Sequence, residues 1–300
     1  MRKKRLLGIL MGMAAALLWG ISGPASEILF AHNMSVGWLI SSKMVIAGLV
    51  SMVLALIIDG KKVLAPWQNK QAATQMIIFI LFGMIAMQYI YYQAVAVANA
   101  PTATILQFLS PVVVVIYVAL KTRELPRRVD VLVIALAMFG TLLVVTKGHL
   151  TQLAISPQAL MWGLLSALAA AAYAILPAAL LETYSPLTVT AWAQLLGGAL
   201  LSINTPWWTK IPHLTTFEWG AYAFVVIAGT IVAYLLYLMA LQYVSVTAVS
   251  LLDAFEPLGA TLTSVLFMGF VLTCAELLGG VLIIVAVILM SLMEPKAPEN

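Results

Sequence analysis

Asp253 and Glu256 stand three residues apart in the stretch SLLDAFEPLG, with Pro257 directly behind them. The chain on either side is apolar, VTAVSLL before the acids and ATLTSVLFMGF after the proline. An ionised Asp at the centre of a membrane helix costs about 2.5–3.5 kcal/mol, and one Leu or Ile recovers only about 0.3–0.6. Carboxylates kept at that cost face a cavity, hold a partner, or carry protons. A spacing of three puts both acids on one helix face. In a span opening at residue 246, a rise of 1.5 Å per residue sets Asp253 about 10 Å deep and Glu256 about 15 Å deep, near the midplane.

Pro257 has no N–H and disfavours helical geometry in the residue before it, so a carbonyl near Asp253 loses its donor. Pro111 does the same in an earlier run, beside Gln107 and Ser110. Broken backbone at membrane depth is tolerated where it lines a cavity. Gln107 and Ser110 therefore join the candidate site. Lys43 lies within another apolar run, about 10 Å from its outer end. It serves either as a counter-ion to Glu256 or as an anchor for substrate. For Glu256 the plainer alternative is a structural salt bridge or a protonated acid hydrogen-bonded between helices. Trp19, Tyr89 and Tyr92 add aromatic surface within the spans. Tyr89 and Tyr92 share a helix face on which a cationic or aromatic molecule can stack; packing is the alternative for any one ring.

Catalysis has little footing. His32, His149 and His213 all fall between apolar runs, and no zinc-ligand spacing, Ser/His pairing or phosphate-cradling Gly-rich loop is present. No catalytic residue, metal or cofactor is expected, and the chain has no means of hydrolysing ATP. The single Cys274 permits no disulfide within one chain.

The elements that must carry these residues follow from composition. Hydrophobic residues make up 63% of the 300 and charged residues 9%, against about 45–50% and 25% in soluble domains. Mean hydropathy is +1.07. Ten continuous apolar runs lie near 6–29, 36–58, 75–97, 100–119, 129–147, 158–181, 186–204, 217–241, 246–269 and 274–293, each about the length needed to cross a bilayer. Continuous rather than alternating runs exclude a β-barrel. The expectation is an all-α integral membrane protein with ten transmembrane helices.

The net charge of +4 is no nucleic-acid signature, because topology places it. With MRKKR cytoplasmic, twelve basic residues (Arg2, Lys3, Lys4, Arg5, Lys61, Lys62, Lys70, Lys121, Arg123, Arg127, Arg128 and Lys296) fall inside and only Lys147 and Lys210 outside. The positive-inside rule favours that orientation, with both termini cytoplasmic. Trp207, Trp208 and Trp219 at span ends fit an interfacial belt.

The chain also repeats itself. A shift of 146 carries the third-to-fifth runs onto the eighth-to-tenth, pairing Gly83 with Gly229, Tyr91 with Tyr237 and Pro111 with Pro257. Shifts of 155 and 150 carry the first run onto the sixth and the second onto the seventh. Five spans are an odd number, so the second half enters from the opposite side. Such an inverted repeat puts the substrate site near the midplane between the halves. The expected division is residues 1–147, a linker at 148–157, and 158–300.

At this level the chain resembles the EamA family of the drug/metabolite transporter superfamily. The pieces that carry the resemblance are AAALLWGISGP in the first run, the matched LQFLSPVVVVI and LLDAFEPLGAT, and KTRELP after the fourth run. The resemblance implies a secondary transporter in the cell membrane, commonly an exporter of amino acids or other small metabolites, with a central cavity. Two departures bear on substrate charge: Lys43 stands where an arginine is common, and Asp253 where an apolar or small residue is usual. The functional expectation is a small-molecule exporter of amino-acid type working by alternating access. The alternative is a proton-coupled or facilitated carrier of organic cations. Small-molecule substrate, membrane lipid and protons are the expected partners, with no nucleic acid.

Overall fold

Lipid offers no hydrogen bonds, so a chain this apolar satisfies its backbone within helices. The structure, a computed structural model, describes residues 2–123, 128–149, 154–241, 243, 252 and 255–293. Among these it is all helix and connections, with no strand. Asp253, the opening of the ninth expected span, residues 124–126 of KTRELP and residues 150–153 of the expected linker lie outside the described residues.

In chain order the helices are α1 (Arg2–Ala31), α2 (Val36–Ile58), α3 (Lys70–Val97), α4a (Ala100–Gln107), α4b (Ser110–Thr122), α5 (Arg128–Thr146), α6 (Pro157–Ile175), α7 (Pro186–Asn204), α8 (Thr216–Ala240), α9 (Phe255–Met268) and α10 (Cys274–Met293). Seven helical stretches among the described residues are long and apolar enough to cross a membrane, and three shorter apolar helices accompany them at Ile134–Thr146, Phe255–Met268 and Cys274–Ala286.

Polar caps mark where several of these helices start. Ser35, Asn69, Asn99, Ser156 and Ser185 each accept a backbone N–H from the first turn of α2, α3, α4a, α6 and α7, which satisfies donors the helix itself leaves free. Thr215 and Glu218 cap α8 reciprocally, and Thr273 and Glu276 do the same for α10. Two helices widen midway into π-helical turns, α3 at Phe79–Ile85 and α8 at Phe224–Val232.

Helix packing falls into two kinds. α2 lies along α7, α5 lies along α10, and α4a touches α9. α1 packs on α8 and α9, and α6 packs on α3 and α4. Small residues allow the close crossings: a Cβ added to Gly140 would meet the Gly279 carbonyl at 2.7 Å, as expected where helices associate through backbone proximity. Ile57, Leu120, Ile203 and Phe267 project outward and stay exposed, a surface suited to lipid.

Candidate functional site

α4 is interrupted where Pro111 was expected to break it. α4a ends at Gln107, Phe108 and Leu109 form a turn, and α4b opens at Ser110. The Leu109 N–H bonds back only three residues, to the Leu106 carbonyl at 3.1 Å. Gln107 is buried there, and its side-chain Nε2 makes no hydrogen bond. Ser110 is half-buried.

Glu256 sits in the first turn of α9. Gly20 on α1 brings the two helices together at this point: a methyl there would strike the Glu256 carbonyl and stand 2.9 Å from the Ala260 nitrogen. Gly20 lies well inside the helix Arg2–Ala31, so the Glu256 main chain stands beside the middle of α1. It is half-buried, and Tyr91 and Tyr234 lie within its electrostatic reach.

Aromatic rings close around that point from four helices. Trp19 of α1 meets Tyr234 and Tyr237 of α8 at centroid distances of 5.2 and 5.3 Å. The Tyr234 hydroxyl faces that of Tyr173 on α6. Tyr91 reaches over Gly23 to Thr104 on α4a, with 3.0 Å between the hydroxyls.

Lys43 is buried on α2, 2% exposed. Its Nζ donates to Gln88 Oε1 at 2.7 Å and to the Tyr92 hydroxyl at 3.0 Å, and lies 4.2 Å from the centre of the Tyr92 ring. Tyr92 also packs edge-on against Phe30. Tyr89 goes elsewhere: its ring meets Trp162 of α6 at 6.4 Å. The structure thus gathers Trp19 near the tyrosines of α8 and Tyr92 with Lys43, while Tyr89 packs against α6.

Three polar residues outside the sequence-derived set belong to this region. Gln88 holds Lys43, and a glutamine one helical turn before Tyr92 in an apolar run is a legible signal. Ser22 is buried with its hydroxyl beside that of Tyr92. Glu27 accepts the Ala100 N–H at 2.7 Å, tying the end of α1 to the start of α4a.

Towards the ends of the bundle, polar contacts join helices that are distant in sequence. Asp59, after α2, accepts from the hydroxyls of Ser185 and Thr188 at the start of α7, the latter at 2.7 Å. His32 pairs with Glu218, and Lys147 with Glu276. Between the start of α2 and the end of α7, an opening of about 270 Å³ is lined by Ser35, Trp38, Thr205 and Lys210 among others.

The model of the EamA-like transporter family matches this sequence twice, over residues 6–146 and over 157–292. The chain belongs to the EamA-like transporter family. An uncharacterized inner membrane transporter, YicL, of Salmonella typhimurium is 35% identical over 291 residues, covering 95% of each chain. A protein crystal structure 20% identical to the chain superposes with a TM-score of 0.64, covering 95% of this chain and 96% of that one, and shares its fold. This EamA-like transporter is accordingly a multi-pass membrane protein that carries small molecules.

Proposed function

We propose that the chain is a secondary active transporter exporting a small amino-acid-type metabolite by alternating access. The observation that carries this reading is the placement of Glu256 beside the middle of α1, on a helix packed against the interrupted α4. A half-buried carboxylate among tyrosines at that depth suits a solute with a cationic group.

Two inverted five-helix repeats, residues 1–147 and 158–300 joined by 148–157, form the framework of the proposal. The two π-helical turns support it, because Phe79–Ile85 shifted by 146 falls within Phe224–Val232. The helix pairings support it too. α1 with α8 corresponds to α6 with α3, α1 with α9 corresponds to α6 with α4, and α2–α7 and α5–α10 each pair equivalent helices. Halves that exchange partners in this way can rock about a central site and expose it to each side in turn. Both termini lie in the cytoplasm on this reading, for the charge reason given above. Asp253, three residues before Glu256 in the sequence, is proposed to share the site and to carry protons or cations with it.

Efflux and uptake in proteoliposomes test the proposal, using neutral amino acids beside choline and polyamines. Movement of amino acids without ATP is the expected result. Movement of the cations alone replaces it with the organic-cation carrier, which the two acids near tyrosines also favour. A chain that moves no solute overturns both.

A further inference from the structure

We infer that His32 and Glu218 form a proton-sensitive latch between the two halves of the carrier, holding shut the end of the bundle that faces outside; this rests on the alternating-access reading above. The ion pairs His32–Glu218 and Lys147–Glu276 both stand at that end. Each runs from the end of a first-half helix, α1 or α5, to the start of a second-half helix, α8 or α10. At the opposite end Asp59 joins the halves through the neutral hydroxyls of Ser185 and Thr188. The two ends are therefore closed by different chemistry. Of the side-chain types involved, only histidine ordinarily changes its charge between about pH 5 and 8.

Geometry settles which nitrogen of His32 responds. Nδ1 lies 3.1 Å from Glu218 Oε1 and 3.0 Å from the Ile28 carbonyl oxygen. Both are acceptors, so Nδ1 carries a hydrogen and Nε2 is left to take a proton from water. The His32 side chain is 62% exposed and that of Glu218 only 5%. The base thus meets the medium while its partner is held within the protein, where Glu218 Oε2 also accepts the Thr215 N–H at 2.6 Å. Protonation turns their hydrogen bond into one between opposite charges, the stronger kind. The other charged groups nearby are Lys210, which lines an opening together with Asn33, and Glu27 of α1, whose carboxylate accepts the Ala100 N–H.

Beneath the latch, Leu29 of α1, Trp38 of α2, and Tyr222 and Val225 of α8 are buried in one apolar cluster. Opening this end parts α1 from α8, breaks the pair and uncovers the cluster. The closed state binds the His32 proton more tightly than the open one, so closure gains stability as pH falls and loses it as pH rises. Acid outside holds the carrier shut, and a neutral medium releases it.

Thiol labelling reads the latch without any substrate. The full-length chain carries Cys274→Ser and Val225→Cys, and an impermeant reagent is applied to intact cells. An exposed cysteine in place of His213, in a separate Cys274→Ser chain, supplies the reference rate and removes the pH dependence of the thiol itself. The relative rate at Val225→Cys should be about two- to fivefold lower at pH 5.5 than at pH 7.5, the range of a part-exposed ion pair. His32→Gln should make it equal at the two pH values, and His32→Arg should hold it low at both. Glu218→Gln keeps an oxygen for the Thr215 N–H and should also abolish the difference, whereas His149→Gln should preserve it. A wild-type rate that ignores pH, a His32→Gln protein that retains the difference, or a response only to pH on the cytoplasmic side overturns the latch. Should Glu218→Gln fail to fold, His32→Gln, at an exposed position, decides the matter. Proteoliposomes that move no solute overturn the transport reading, while labelling that still follows His32 keeps the latch.

Discussion

Gly48 and Gly198 meet the opposite helix's backbone at a single crossing of α2 and α7. A methyl on Gly48 would stand 2.5 Å from the Leu195 nitrogen, and one on Gly198 2.6 Å from the Val45 nitrogen. The two contacts are also equivalent under the shift of 150 that carries α2 onto α7. In each case the obstacle is main chain, which cannot rotate away as a side chain can.

Gly48→Ala and Gly198→Ala should therefore each destabilise the fold by about 1–3 kcal/mol, the usual cost of overpacking. Gly12→Ala should cost less, because the nearest atom there is the end of the Leu252 side chain. Thermal unfolding of the purified variants in detergent checks the order. A Gly12 variant as damaged as the other two would show that backbone contact is not what governs this crossing.

Glu27→Ala should cost about 1–3 kcal/mol by leaving the Ala100 N–H without its acceptor. Glu27→Gln keeps an acceptor oxygen and should recover most of that loss. The pair is compared by melting temperature. Equal losses in the two variants would mean that the charge of Glu27, and not the capping bond, is what matters.

Glu256→Gln should leave the α1–α9 crossing intact, since that contact is made by the Glu256 main-chain carbonyl against Gly20, yet cut transport at least tenfold. If Asp253 shares the proposed site, Asp253→Asn should flatten the dependence of transport on pH, because two neighbouring carboxylates out of water disfavour joint ionisation and so trade a proton. Transport against pH, normalised to folded protein, reads both effects. Unchanged rate, affinity and pH profile in both variants would remove the acids from the site.

Orientation is open to direct labelling. In a Cys274→Ser background, a cysteine at Lys61 should react only from the cytoplasmic side, and one at Lys210 only from outside. Impermeant thiol reagents applied to intact cells and to inverted vesicles give the answer. The reverse pattern would invert the topology and the proposed direction of transport.

Membrane class, helical content and the break beside Pro111 are legible in the sequence because each depends on local chemistry. Sixty-three per cent apolar residues leave lipid as the only solvent, run length marks the candidate spans, and a proline lacks its N–H wherever it sits. The 146-residue shift and the LLDAFEPLGAT stretch likewise point to the family before any packing is considered.

Which side chains meet is another matter. The helices are apolar nearly all round, so no polar stripe tells which face of each turns inward, and in lipid small residues and shape set that rotation instead. Tyr89 and Tyr92 are one turn apart on α3, yet one meets Trp162 of α6 and the other Lys43 of α2. Lys43 is conspicuous in the sequence, but its partners Gln88 and Tyr92 lie 45 and 49 residues away. Glu27 reaches Ala100 across 73 residues, and Asp59 reaches Thr188 across 129. These contacts depend on how helices rotate and cross after they are formed, and only the tertiary structure decides that.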